Sequence, residues 1–555
     1  MKRTYAILIS LLLLQFVVKC GLILHAGPMT NNGLYGDDSY MSHKFAQNIA
    51  EGRGISQAGS PNNGFQPLYV FLIVPLFWFL DPLQATLGTA LINAALHTLA
   101  SFFLFRVIRA VANDRCALAG VLLWTCSAYL TRISLNGLET ALANFFMLLL
   151  LDFHLASRCG DNASSEPALS TRGAAGSWGV PAAACLGLVM GLAFLSRLDL
   201  GLLLLPLGID QILYRLRRRE GIQLATTISV GAVVIAPWFL WSRLVCGSWM
   251  PLSGKATRTV AQLYGSPTGP VRDPSYFPLG EIPWSFYESH LRHAFKHIVL
   301  DAPVNLVGRL ITESSPWLGL LGLLPLLFLF AFGRAGAPQT DNQVRWSRLW
   351  QRLWYLWLFV AALPLVYSFY CFAQWHFWRY LSPVAIALLI PSACLLDPLL
   401  SRVSGRHATV VWGIGSLAVG ALLLGGRAHA SLAAAPDPTG IAYRLYEDSQ
   451  SLAEELPRDS RVGSFESGTL DYFMARDIYN LDGKTDARAL EALREGRIDR
   501  HIRELGLDFI VSSPPLIRDL LSRRGRWHPG ELTVIARHRH NLVVVVQPSE
   551  MTTEP

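Results

Sequence analysis

Charge is what this sequence has least of. Only 15% of its 555 residues are Asp, Glu, Lys or Arg, whereas a soluble globular chain carries about 25%. With 52% hydrophobic residues and a mean hydropathy of +0.34, the chain lacks the polar surface of a soluble protein of its size. Cysteine pairing is also missing. None of the eight cysteines shows C-x-x-C spacing, which argues against a zinc site. None lies beyond Cys394, so the polar C-terminal region does not rely on disulfides. Most sit in apolar runs, where Cys acts as a small hydrophobe. No small-x-small cleavage site follows the apolar run at 5–25, which therefore reads as an uncleaved first span. No internal repeat is visible. Nor is there a basic stripe interleaved with aromatics, so the net charge of +8 does not point to nucleic acid.

Long apolar runs take the place of charge. A spanning helix needs about 20 apolar residues. Candidates lie near 5–25, 84–105, 116–132, 138–157, 181–196, 199–214, 223–245, 315–333, 353–372, 380–399 and 408–425, about eleven in all. With Lys2 and Arg3 inside, every second connection should be cytoplasmic and basic. Those connections carry Arg106, Arg109 and Arg115, then Arg158 and Arg172, then Arg215 to Arg219, then Arg334, Arg345, Arg348 and Arg352, then Arg402 and Arg406. The sequon at Asn162 falls in one of these cytoplasmic loops. The run PLYVFLIVPLFWFL at 67–80 is too short to span comfortably and contains Pro75. It reads as a helix lying in or dipping into the outer interface.

The expected architecture is a polytopic α-helical membrane region over 1–425, with outer loops 26–83 and 246–314, and a small extracytoplasmic α/β domain over 426–555. In the latter, LDFIVS (507–512) and LVVVV (542–546) read as strands.

Five polar clusters fall on the same outer face. In GDDSYMSHKFAQNIAEGRG (36–54), Met41, Phe45 and Ile49 recur at helical spacing behind Asp37 and Asp38. A purely structural role is available: Asp38 caps the helix and Asp37 complements its dipole. One Asp suffices for that. Two adjacent carboxylates also suit a base that takes a proton from a sugar hydroxyl, or a divalent cation held at Asp38. In SLNGLETAL (134–142), Asn136 and Gly137 read as a turn and Glu139 as an early helix carboxylate. SRLD (196–199) breaks an apolar stretch with Arg197 and Asp199, and charges at membrane depth pair or serve a site. SWMPLSGKATR (248–258) offers Lys255 and Arg258, and QWHFWRYLSP (374–383) offers His376 and Arg379. His290, His293 and His297 fit one face of a basic helix resting on lipid headgroups.

The order of these pieces resembles the GT-C superfamily of membrane glycosyltransferases. Within it, the sequence is similar to bacterial polyprenyl-phosphate-sugar transferases related to mannosyl- and arabinofuranosyltransferases. The resemblance is carried by DDSYMSHKFAQNIAEGRG, NGFQPLYVFL, NGLETAL, LSRLDLGLLLLP, MPLSGKA, RYLSPVAI, VGSFESGTLDYF and IYNLDGKTD. NGFQPLYV departs from the commoner G-Y-T-N-P-L-W pattern. The resemblance implies a catalytic Asp in the first outer loop, at Asp37 or Asp38 with Asp37 favoured. It implies a sugar donor on a polyprenyl monophosphate, and Arg197, Lys255 and Arg379 as ligands of its phosphate. Glu139, Asp199 and His376 complete the candidate substrate site. The acceptor would be an envelope glycan, glycolipid or protein at the cytoplasmic membrane. A lipid-linked-sugar flippase and a non-catalytic assembly protein of the same fold are the competing readings. Against a transporter stand the absence of visible repeats and the few ionisable residues at mid-membrane.

Overall fold

The computed structural model describes residues 2–26, 35–158, 179–256, 259, 349–368, 377–395, 441–522 and 531–546. The expected spans at 315–333 and 408–425 lie outside these residues. So do Arg258, His376 and the three histidines at 290–297.

Helices occupy the other expected spans. Four are long and apolar enough to cross a membrane: α1 (Lys2–Ala26), α4 (Pro82–Val111), α7 (Thr140–Arg158) and α10 (Gly221–Cys246). Shorter helices fill the bundle: α5 (Asp114–Cys126), α8 (Val180–Ser196) and α9 (Gly201–Arg217) early, then α11 (Trp354–Ser368) and α13 (Ser382–Leu395). The span expected at 116–132 is two helices. Ser127 ends α5 and starts α6 (Ala128–Ser134), its hydroxyl accepting the Leu130 N–H at 3.2 Å. The apolar run after residue 66 is α3 (Pro67–Ile73) followed by a 3₁₀ turn (Val74–Trp78), too short to span. Tyr69, Val70 and Ile73 are buried against Phe45, Leu142 and Trp238.

The bundle core is apolar, with Phe105, Met147, Leu151, Phe359 and Ile390 fully buried in it. At one end of the bundle the arginines find partners. Arg106 pairs with Asp152 at 2.9 Å and Arg158 with Asp210 at 2.8 Å, while Arg352 donates to the Ala110 carbonyl at 2.9 Å. All three arginines belong to connections that the charge alternation assigned to one side.

Two short strands of the first loop, β1 (Ser56–Gln57) and β2 (Ser60–Pro61), pair antiparallel. After α14 (Ile441–Glu455), the C-terminal residues build a five-stranded mixed sheet. Its order is β4 (Ile478–Asn480), β3 (Val462–Ser464), β5 (Phe509–Ser512), β7 (Leu542–Val546), β6 (Leu532–Arg537). β3 runs parallel to β4 and β5; β7 runs antiparallel to β5 and β6. Parallel neighbours need crossovers. These are supplied by α15 (Ser467–Phe473) between β3 and β4, and by α16 (Ala487–Arg494) and α17 (Ile498–Glu504) between β4 and β5. Leu493, Ile498, Ile502, Ile510 and Val544 form the core of this layer. Both strands read from the sequence are present.

Candidate functional site

The site begins where α2 (Asp37–Ala50) starts. Gly36 is extended and breaks the chain direction, so both acids fall in the first helical turn. Carboxylates there complement the helix dipole. Met41 and Phe45 are buried, as the helical spacing requires. The Asn-Gly turn expected at 136–137 is the seat of this helix: Ser39 donates from its hydroxyl to the Asn136 carbonyl at 2.7 Å. Gly137 has φ +73°, and an added Cβ would lie 2.1 Å from the Tyr35 ring. Only glycine fits that position.

The two acids separate in role. Asp37 reaches the N-terminus of α15. Its Oδ1 accepts the Thr469 N–H at 2.7 Å and the Thr469 hydroxyl at 2.9 Å; its Oδ2 accepts the Gly468 N–H at 3.1 Å. Burial pushes this carboxyl above its usual range, against the pull of the Thr469 N–H and Lys484. The helix capped by an acid of this pair is therefore not α2 itself, as Asp38 was expected to cap it. It is a helix 432 residues away.

Asp38 faces cations. Lys484 Nζ stands 3.6 Å from its Oδ1, and Arg379 Nη1 stands 3.9 Å from its Oδ2. These separations exceed the 2.7–2.9 Å of a charge-assisted hydrogen bond. Arg379 lies in the short helix α12 (Phe377–Tyr380), and its Nη2 donates to the Tyr380 hydroxyl at 3.0 Å. Its carbonyl accepts from Arg197 Nη1 at 3.3 Å.

Arg197 and Asp199 form the support beneath Arg379. The chain leaves α8 in extended geometry at Arg197 and enters a 3₁₀ turn (Leu198–Leu200) before α9. This turns the Arg197 side chain inward, where it is 2% exposed. It pairs with Asp199 at 2.5 Å, and the Tyr367 hydroxyl donates to the same Asp199 oxygen at 2.6 Å. Tyr367 and Tyr380 stack at 4.7 Å. Glu139 is buried nearby, and its charge acts on both Arg197 and Arg379. Four of the expected site residues thus gather around Arg379: Asp38, Arg197, Asp199 and Glu139. Lys255 does not pair with them among the described residues. It is exposed and donates to the Ser248 hydroxyl at 2.9 Å.

Sequence reasoning did not single out the residues that join the sheet layer to the first loop. Lys44 is buried, 3.5 Å from Asp471 Oδ1, and donates to the Asp471 carbonyl at 2.7 Å. Gln57 donates to Asp471 Oδ2 at 2.6 Å. Tyr472 stacks on Tyr40 with ring centroids 5.5 Å apart and donates to the Pro82 carbonyl. Lys484 sits in the loop after β4, whose Asp-Gly pair is a visible turn signal. Burial works against the Lys484 charge, but Asp482, Asp38 and Asp37 outweigh it and hold the ammonium above its ordinary value.

A divalent cation at Asp38 would have to displace the cations that face it. Two cationic side chains already lie within 4 Å of its carboxylate. Among the described residues, no three His, Cys, Asp or Glu side chains come together.

Solved structures share this architecture. ArnT from Cupriavidus metallidurans, bound to undecaprenyl phosphate, superposes with a TM-score of 0.56 at 14% identity, covering 98% of each chain. The fold is the GT-C fold. The oligosaccharyltransferase AglB from Archaeoglobus fulgidus, in complex with an inhibitory peptide and a dolichol-phosphate, gives a TM-score of 0.55 at 12% identity. That match covers 91% of this chain and 69% of AglB. No protein-family model and no curated protein matches the sequence.

Proposed function

We propose that this chain is a glycosyltransferase that moves a sugar from a polyprenyl-phosphate donor to a hydroxyl acceptor, a glycan, glycolipid or protein of the cell envelope. The reaction would take place on the outer face of the cytoplasmic membrane, with the C-terminal layer outside and the arginine end inside. The observation that carries this reading is the grouping of Asp38 with Arg379, on the support of Arg197 and Asp199, at one end of a bundle with the GT-C fold. The two solved neighbours named above were solved with undecaprenyl phosphate and with a dolichol-phosphate, which supports a donor of this class.

The chemistry is a single displacement with inversion. The acceptor oxygen attacks the anomeric carbon as its proton passes to a carboxylate. The bond from that carbon to the phosphate oxygen breaks, and polyprenyl phosphate leaves with the electron pair. Asp37 and Asp38 are the candidate bases. Asp37 Oδ1 already accepts two hydrogen bonds and its Oδ2 one, so Asp37 has little accepting capacity left. Asp38 lies between two cations, Lys484 Nζ at 3.6 Å and Arg379 Nη1 at 3.9 Å, which favours Asp38 as the base over Asp37, the acid that the family pattern favours. Arg379 is the candidate for the departing phosphate, and a fixed cation there stabilises developing charge. Lys255 and His376 remain candidates for more distant parts of the donor.

The test compares wild type with Asp38→Asn and Asp37→Asn at matched folding, using radiolabelled polyprenyl-phosphate sugars and a crude envelope-glycan acceptor. Loss of about 10²–10⁴ in kcat for Asp38→Asn is expected, the usual worth of a general base. A milder loss is expected for Asp37→Asn. Full transfer by Asp38→Asn would move the base to Asp37. No transfer by wild type from any donor, with acceptors varied, would sink the transferase reading.

A further inference from the structure

The loop joining β4 to α16 does more than link two elements of the sheet layer. It is fixed at every residue that could let Lys484 wander. Gly483 has φ +78°, and a Cβ there would meet the Leu490 backbone at 2.7 Å. The Lys484 N–H donates to Asp482 Oδ1 at 2.9 Å, and the Thr485 N–H donates to Asn480 Oδ1 at 3.2 Å. From the first loop, Asn62 donates to the Lys484 carbonyl at 3.3 Å. Gly64 packs so closely on that carbonyl that a Cβ would lie 2.8 Å from it. The backbone is thus gripped by both parts of the protein, and the ammonium lies between Asp482 Oδ2 at 3.4 Å and Asp38 Oδ1 at 3.6 Å.

Two cations from distant segments therefore flank one carboxylate: Lys484 Nζ at 3.6 Å and Arg379 Nη1 at 3.9 Å. Like charges brought to one place need an anion between them. Asp482 balances Lys484 from its own loop at 3.4 Å, and Asp38 is the carboxylate that both cations share, at distances too long for direct hydrogen bonds. A phosphate is larger than a carboxylate and presents more acceptor oxygens, so it can meet both cations at bonding distance.

We propose that Lys484 is a ligand of the donor's phosphate, paired with Arg379, so that the C-terminal layer completes the donor site rather than only screening it. Asp38 stands in for a phosphate oxygen until the donor arrives. The phosphate then takes over the two cations and leaves Asp38 to the acceptor hydroxyl. Binding is ordered for this reason: donor first, acceptor second. The inference rests on the donor class proposed above.

The experiment measures binding of undecaprenyl phosphate to the full-length purified chain by tryptophan fluorescence, with undecaprenol and inorganic phosphate as comparison ligands. Wild type is compared with Lys484→Met and Lys484→Arg. Loss of one hydrogen-bonded charge should weaken undecaprenyl phosphate binding by about 10- to 100-fold in Lys484→Met. Lys484→Arg should keep most of it, and the weak affinity for undecaprenol should not change. If the Met variant does not fold, Lys484→Gln takes its place. Wild-type binding with an unchanged Kd in the neutral variant overturns the role of Lys484 and leaves the transferase reading intact. Failure of wild type to bind undecaprenyl phosphate overturns both. Equal binding of inorganic phosphate, lost in the same variant, would mean a free-phosphate site and also overturn the proposal.

Discussion

Substituting one glycine tests how the sheet layer is held over the first loop. Gly468 lies against the backbone of α2: a Cβ there would stand 2.2 Å from the Asp37 carbonyl oxygen and 2.8 Å from Met41 Cγ. The carbonyl cannot rotate away, so Gly468→Ala must strain the contact or part the two elements by about 1 Å. Parting them would break three hydrogen bonds to the Asp37 carboxylate, each worth about 1.5–3 kcal/mol. Straining the contact costs about 1–3 kcal/mol, the usual penalty for overpacking. The strained, still-docked state is the cheaper one, so docking should weaken by about 1–3 kcal/mol. Amide hydrogen exchange at Gly468, Thr469 and Leu470 reads this directly. Exchange should quicken by about 5- to 150-fold, since 1.4 kcal/mol is a factor of ten. Gly36→Ala is the control, because an added Cβ at Gly36 meets nothing within 4 Å. Wild-type protection in Gly468→Ala would refute the account of a tight backbone contact, as would equal effects of the two substitutions.

Three other perturbations test the surroundings of the site. Tyr367→Phe removes the hydroxyl that donates to Asp199 at 2.6 Å; it should cost about 1–3 kcal/mol in thermal stability and raise the donor KM, and an unchanged Tm would count against the support role. Gly137→Ala should destabilise by about 1–3 kcal/mol, because the position combines φ +73° with contact to the Tyr35 ring; a neutral effect in thermal unfolding would contradict the packing. Burial pushes the Asp471 carboxyl up to about 6, against Lys44 and the Ile478 N–H. An unfolded Asp titrates near 3.9, so the native state holds the proton more tightly, and stability should fall by about 3 kcal/mol as pH rises from about 4 to 6. The fall should be absent in Asp471→Asn; an identical pH profile in the variant would refute the assignment.

The bundle was legible in the sequence because span length and loop charge are written locally. Twenty apolar residues make a helix wherever they occur, and Arg106, Arg158 and Arg352 mark one end without reference to partners. The strands at 509–512 and 542–546 were legible through their run of β-branched residues. The two breaks at Ser127 and Arg197 differ in this respect. The SRLD interruption announced itself by its charges, whereas the Ser127 cap was hidden inside an apolar run. The site was legible only in part. Asp38, Arg379, Arg197, Asp199 and Glu139 stood out as polar residues at helix ends. Lys484 did not, because nothing near it in sequence shows which carboxylate it will face. The same holds for Asp37, whose partner Thr469 is set by tertiary docking alone. Local propensity says where a carboxylate can cap a helix, but not which helix.

The clamp of Asp37 on Thr469 also has a bearing on time. Its halves are 432 residues apart in the chain. At about 5–20 residues per second, synthesis separates them by roughly 20–90 s. Through that interval the first loop would already be at the membrane surface, with Asp38 formed but Lys484 not yet made. A nascent chain would have its carboxylates in place without Lys484, the cation proposed to hold the donor's phosphate. On the proposed role of Lys484, a ribosome stalled before residue 467 would leave an inserted bundle that lacks one of its two phosphate ligands.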